Sequence, residues 1–186
     1  VKNGKKFFAQ KNRYGNNKLK NALAGYKETF NDSFPILIPN RNGDRRKQTG
    51  NFVQVNKSGS WNRRDVSLRI PAGSDSAKRI EHRVASADAN PYLVLACILS
   101  GLHYGLTKKL SPTDQVSFDN TEGADKTADP EMPKNMESAL NRFQESKILS
   151  KYLGKEYLDL YVSAKEGEFE HMDNSFIPSE EYDFYL

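Results

Sequence analysis

The chain has 186 residues, long enough for one domain with a hydrophobic core. Its net charge of +4 conceals a split: residues 1–83 carry 19 Lys and Arg against 6 Asp and Glu, and the remainder carries 9 against 18. A basic first part suits a small anion such as a nucleotide, while the acidic second part argues against a nucleic-acid binder.

Residues 1–17 are rich in Lys, Asn and Gly and read as a loop or hairpin edge; the opening on Val1 suggests a fragment of a longer protein. Leu19, Leu23, Tyr26, Phe30 and Phe34 recur at helical spacing, which predicts an amphipathic helix over 18–34 that Pro35 ends or kinks. The aromatic stripe reads as core rather than as a ligand pocket. Residues 39–63 are polar and Gly-rich with little periodicity, a length of irregular chain that is either functional or mobile. Val66, Leu68 and Ile70 then alternate with Ser67 and Arg69 and stop at Pro71, and a second strand is expected around 79–85.

Asp88 or Asn90 is a candidate N-cap for a helix over 91–106, with Pro91 in its first turn. That helix is apolar nearly all round, so it is expected to be the central buried one, with His103 as a satisfied structural histidine. The run is too short for a membrane span and is broken by Ser100, Gly101 and His103. Cys97 within it is the one cysteine, which excludes an internal disulfide and predicts a cytoplasmic protein with an inert buried thiol. Residues 111–134 read as an acidic surface loop. Two amphipathic helices follow, one with Met136, Leu140, Phe143 and Ile148 inward, the other with Tyr157, Leu160, Tyr161 and Ala164. The aromatic end, IPSEEYDFYL, suggests a docked tail.

The chemistry concentrates in Arg79-Ile80-Glu81-His82-Arg83. On a strand, Arg79, Glu81 and Arg83 share one face and Ile80 and Val84 the other. One carboxylate between two guanidiniums suits a site handling a divalent metal with phosphate or carboxylate. Taken alone, the pentapeptide reads more readily as a solvated face with loosely paired charges. It stands in a series, however. PNRNGDRR ends in Arg46, SWNRRDVSLRIP carries Arg64 and Arg69, KRIEHR follows, and ADANPYL opens the apolar helix. No P-loop, zinc cluster, dinucleotide fingerprint or serine triad signature is present.

This series resembles the C-terminal half of the catalytic domain of the glutamine synthetase family, which includes γ-glutamyl–polyamine ligases. The family pattern runs N-S-Y-[KR]-R, S-W-G-x-x-N-R with R-[IV]-P, then R-[IL]-E-x-R and A-N-P-Y-L. The resemblance implies an α+β fold in which an antiparallel curved sheet carries the site and helices back it, with residues 1–186 forming part of one catalytic domain. It implies that Arg46 and Arg64 hold glutamate and the transferred phosphoryl group, that Arg79, with Arg69, serves the nucleotide, that Glu81 ligates Mg2+ or Mn2+, and that Arg83 lies near the reacting carboxylate. The implied reaction activates the glutamate γ-carboxylate with ATP as an acyl phosphate, which ammonia or an amine then displaces. Positioning and charge neutralisation dominate such chemistry, so it needs arginines and metal-bound carboxylates. A homo-oligomer is implied for the full-length protein, with no nucleic-acid or membrane partner.

Departures from the pattern favour an amine such as a polyamine over ammonia as acceptor. Gly59-Ser60 stand where the pattern has Trp-Gly, with Trp61 two positions later; Arg63 replaces Asn, Gly43-Asp44 replace Ser-Tyr, and Ser76 stands where a Lys is common. The family's other metal carboxylates and its histidine motif precede the stretch resembled, so this polypeptide alone is expected to be inert. The alternative expectation is an inactive family member with a structural or regulatory role.

Overall fold

The computed structural model describes residues 6–9, 11, 15–45, 56–111 and 129–175. Arg46, residues 112–128 of the acidic loop and the C-terminal segment 176–186 lie outside that set.

The first helix, α1 (Asn17–Phe30), starts where Asn16 accepts a 3.0 Å hydrogen bond from the Leu19 amide. Leu19, Leu23, Tyr26 and Phe30 are fully buried, as the periodicity predicts. The helix stops four residues short of the predicted end. A turn at 31–33 leads into α2 (Phe34–Leu37), with Pro35 in its first turn. Pro35 therefore starts an element rather than ending one, because its missing N–H is not needed at a helix N-terminus. The short helix α3 (Arg41–Arg45) follows.

Asn90, not Asp88, caps α4 (Pro91–Lys108) by accepting from the amides of Tyr92 and Leu93 at 3.0 and 3.3 Å. Its contact with α1 is made backbone to backbone. A Cβ on Gly105 would stand 2.1 Å from the Asn21 carbonyl oxygen, and one on Gly25 would stand 2.2 Å from the Gly105 nitrogen. Glycine is required at both positions for this approach. Cys97, Ser100, Gly101 and Gly105 are buried, but Tyr92, Leu95 and Leu99 are 82%, 53% and 53% exposed. The expectation of a helix buried on all sides is thus corrected: among the described residues one face is covered, and the opposite apolar face is open.

Among the described residues the C-terminal part folds into three helices rather than two. Asn135 and Ser138 form a reciprocal cap for α5 (Met136–Glu145), which buries Met136, Ala139, Leu140 and Phe143. Ser146 then caps α6 (Lys147–Leu153), where Leu149, next to the half-buried Ile148, takes the core position. Gly154, at φ 91°, separates α6 from α7 (Lys155–Ser175). Helix α7 buries Leu158, Val162 and Phe169, while Leu160 is 67% exposed and Ala164 faces out. The predicted face is rotated by one residue because Tyr157 and Tyr161 sit at the boundary, where the Tyr161 hydroxyl donates to the Pro35 carbonyl at 2.9 Å.

The strands are β1 (Gly59–Trp61), β2 (Leu68–Ile70) and β3 (Glu81–His82), in that spatial order. β1 runs parallel to β2, with Gly59 opposite Leu68; β2 runs antiparallel to β3, with Arg69 opposite Glu81. The chain is α+β as expected. Its described sheet is mixed rather than antiparallel throughout, because β1 arises within the stretch read as irregular. No helix among the described residues is long and apolar enough to cross a membrane.

Candidate active site

The β2–β3 ladder builds the site. On β2 the burial alternates, Leu68 and Ile70 inward and Arg69 half-buried, and the antiparallel register brings Arg69 directly across from Glu81. Arg69 Nη1 lies 3.3 Å from both Glu81 oxygens, and Arg83 Nη1 donates to Glu81 Oε1 at 2.9 Å. The three side chains are 16%, 29% and 26% exposed for Arg69, Glu81 and Arg83. Burial alone would raise the Glu81 carboxyl, but the hydrogen bonds and charge of Arg83 and Arg69 hold it below its ordinary value. Glu81 is therefore ionised at neutral pH, and the cluster carries two positive charges against one negative.

Its donors are not used up. The Nε–H groups of both Arg69 and Arg83 are buried without a hydrogen-bond partner. Unsatisfied buried donors on two guanidiniums flanking one carboxylate can take an anionic oxygen, and a phosphate or carboxylate has the geometry for it.

The other predicted residues are placed differently. Arg79 lies outside the strand, after the 3-10 turn Asp75–Ala77, exposed and with Nη1 3.4 Å from the Ala77 carbonyl. Arg64 is exposed on the link between β1 and β2. Its neighbour Arg63 chelates Asp65 through Nε and Nη2 at 2.9 and 2.6 Å, which holds the Asp65 carboxyl below its ordinary value. Arg46 lies outside the described residues. So the structure brings together Arg69, Glu81 and Arg83, and does not bring Arg64 or Arg79 into contact with them among the bonds it describes.

Three residues of the site went unread in the sequence. Asn62, at φ 52°, accepts from Arg69 Nη2 at 2.8 Å and from the Ala72 amide at 3.2 Å, fixing the guanidinium against the turn. Its signal was present: Asn is one of the few residues that adopts the left-handed conformation readily. Lys78 is buried with Nζ 4.3 Å over the Trp61 ring, tying the segment before Arg79 to β1. His82 faces away from Glu81 into the protein, and burial pushes its ring down to about 4, so it is neutral.

Cys97 is fully buried and its thiol is pushed up to about 12 by burial, so it carries no chemistry. His103 is exposed and partnered by the Tyr152 hydroxyl at 2.8 Å. Two depressions of about 490 and 620 Å3 open between α3 and α7 around Arg41, Arg45 and Asp173; neither is lined by the Glu81 cluster. Among the described residues no three His, Cys, Asp or Glu side chains converge. Glu81 can offer a divalent ion one carboxylate, already shared with two guanidiniums, so these residues do not form a metal centre by themselves.

The model of the glutamine synthetase catalytic domain matches residues 1–185. The chain belongs to the glutamine synthetase family. The chain is 39% identical over 150 residues to γ-glutamylputrescine synthetase of Escherichia coli, covering 81% of this chain and 31% of that protein. It is 33% identical over 167 residues to glutamate–isopropylamine ligase of a Pseudomonas species, covering 89% and 36%. With the glutamine synthetase of Methanocaldococcus jannaschii it shares 31% identity over 139 residues, covering 73% and 31%. The chain thus spans about a third of the length of these curated relatives.

Proposed function

We propose that this chain supplies one wall of the active site of an ATP-dependent glutamate–amine ligase. The carrying observation is the Glu81 carboxylate held in register between Arg69 and Arg83, with two buried guanidinium N–H groups unspent. In this reading the ligase uses ATP with Mg2+ or Mn2+ to convert the glutamate γ-carboxylate to an acyl phosphate, and an amine displaces the phosphate. Arg83 and Arg69 neutralise charge on the phosphoryl and carboxylate oxygens, and Arg46 and Arg64 hold glutamate and the transferred group. Arg79, exposed and outside the ladder, is the residue that meets the nucleotide. Glu81 would offer its carboxylate to such a metal, whose remaining ligands would have to come from outside the described residues, so the 186-residue chain alone is expected to be inert. The described mixed sheet is then part of a larger sheet in a cytoplasmic homo-oligomer.

An amine larger than ammonia is the favoured acceptor. Two relatives are named for putrescine and isopropylamine, and Arg63 in the β1–β2 link and Gly43 and Asp44 in α3 depart from the family pattern beside the positions proposed for the substrate. In the full-length protein, phosphate release from ATP should require both glutamate and an amine, with a polyamine outperforming ammonia in a panel of acceptors. Glu81→Ala should abolish turnover; full activity in that variant would remove Glu81 from the metal.

The second reading is an inactive family member with a structural or regulatory role, favoured by Glu81 having both oxygens engaged by arginine. Metal-dependent ATP binding to the full-length protein separates the two, since the inactive form should bind none.

A further inference from the structure

His82 is next to Glu81 in sequence but faces the opposite way, toward Tyr26 of α1. Its ring meets the Tyr26 ring of α1 edge-on, with centroids 5.8 Å apart. The Tyr26 hydroxyl is 2.9 Å from His82 Nδ1, and the Ala85 amide donates to His82 Nε2 at 2.9 Å. A backbone amide only donates, so Nε2 is the bare nitrogen. The ring proton is thereby assigned to Nδ1, which donates to the Tyr26 oxygen. Both ring nitrogens are occupied, and neither can serve as a metal ligand or a proton shuttle in this arrangement.

The two bonds act on different parts of the site. β3 is two residues long and, among the described residues, pairs only with β2, so its ladder does little to fix the strand. The bond to Tyr26, a fully buried residue of the helix locked against α4 through Gly25, fixes β3 to the most closely packed part of the molecule. The bond from Ala85 closes the chain back on His82 immediately after Arg83. That turn keeps the Arg83 amide on the Ser67 carbonyl at 3.1 Å and its guanidinium on Glu81.

We propose that His82 is a positioning residue, whose ring, clamped between Tyr26 and the Ala85 amide, sets the orientation of Glu81 and Arg83. As a statement about catalysis this rests on the ligase reading. As a statement about geometry it does not.

The experiment has two arms. In the full-length ligase, His82→Phe keeps the ring's bulk and deletes both bonds. Its metal activation constant should rise roughly 10- to 100-fold, as loss of supporting contacts to a metal ligand typically causes, while His82→Gln, whose amide can accept from Ala85, recovers part of the loss. A folded His82→Phe with wild-type metal activation overturns the proposal. Should His82→Phe fail to fold, Tyr26→Phe deletes only the Nδ1 partner. A raised constant there supports the proposal and an unchanged one overturns it. In the 186-residue chain, long-range 15N NMR should find the His82 proton on Nδ1, and His82→Phe should shift the Nε–H signals of Arg69 and Arg83. Unmoved arginine signals overturn the positioning role. Absence of glutamate- and amine-dependent ATP turnover in the wild-type protein, with the arginine shifts present, sinks the ligase reading and leaves the positioning intact.

Discussion

The α1–α4 seam and the β2–β3 site use opposite strategies for holding a geometry. At the seam, side chains are removed so that backbones touch, and the surrounding Leu19, Leu23, Tyr26 and Phe30 are fully buried. At the site, long charged side chains reach across a short ladder and stay partly in water. Close packing of apolar groups gives a position that cannot drift without losing many contacts at once. Charge pairs in contact with solvent stabilise little but leave donors and acceptors available. Stability therefore lives on the helical side, the proposed chemistry on the strand side, and His82 with Tyr26 is the junction between them.

Substitutions should separate the two halves, and the largest effect is expected in the helical core. Phe30→Ala should cost about 3–5 kcal/mol in urea unfolding, the usual range for a buried aromatic. An effect under about 1 kcal/mol would show that the core is not where the stability resides. Gly105→Ala should cost about 1–3 kcal/mol or more, since its methyl would meet the Asn21 carbonyl and must push two backbones apart.

Lys27, on the same helix, gives the pH handle. Burial, then the nearby Lys57 charge, lowers its ammonium to about 8, with Asp129 opposing. The unfolded chain, with its ordinary value of 10.5, binds the proton more tightly across that interval. Stability should therefore rise as pH goes from about 8 to 10.5, by on the order of 3 kcal/mol. Comparing unfolding curves of wild type and Lys27→Met across that window checks it, since the variant should lack this rise. The smallest effect belongs to the site. Glu81→Ala should change stability by less than about 1 kcal/mol, because the pairs it breaks are partly solvated. A loss as large as that of Phe30→Ala would mean that the site holds the fold together and would erase the contrast.

What could be read in the sequence follows the range of the forces involved. The stripe of α1, the Asn90-Pro91 start of α4 and the alternation of Leu68 and Ile70 are local patterns, and they appear where expected. β1 was hidden because Gly59-Ser60-Trp61 has no alternation of its own and becomes a strand only by pairing with β2. The rotation of α7 was hidden because tyrosine satisfies a hydrophobic pattern equally well at a boundary and in a core. The open face of α4 was hidden because an apolar side chain says nothing about whether a neighbour covers it. At the site, Glu81 between two arginines was legible, but the second arginine in contact is Arg69 across the ladder rather than Arg79 two residues back. The His82–Tyr26 bond spans 56 positions and has no local signature.

The return from β1 to β2 takes only residues 62–67, whereas parallel strands usually need a crossover of a dozen or more. Left-handed Asn62 and the Arg63–Asp65 chelate fold that link onto itself and leave it no slack. Its length acts as a ruler. One inserted residue would slip β2 by a single place, turning Arg69 into the core and Leu68 and Ile70 toward water. Variation in this family member should thus be tolerated in the identity of loop residues far more readily than in their number.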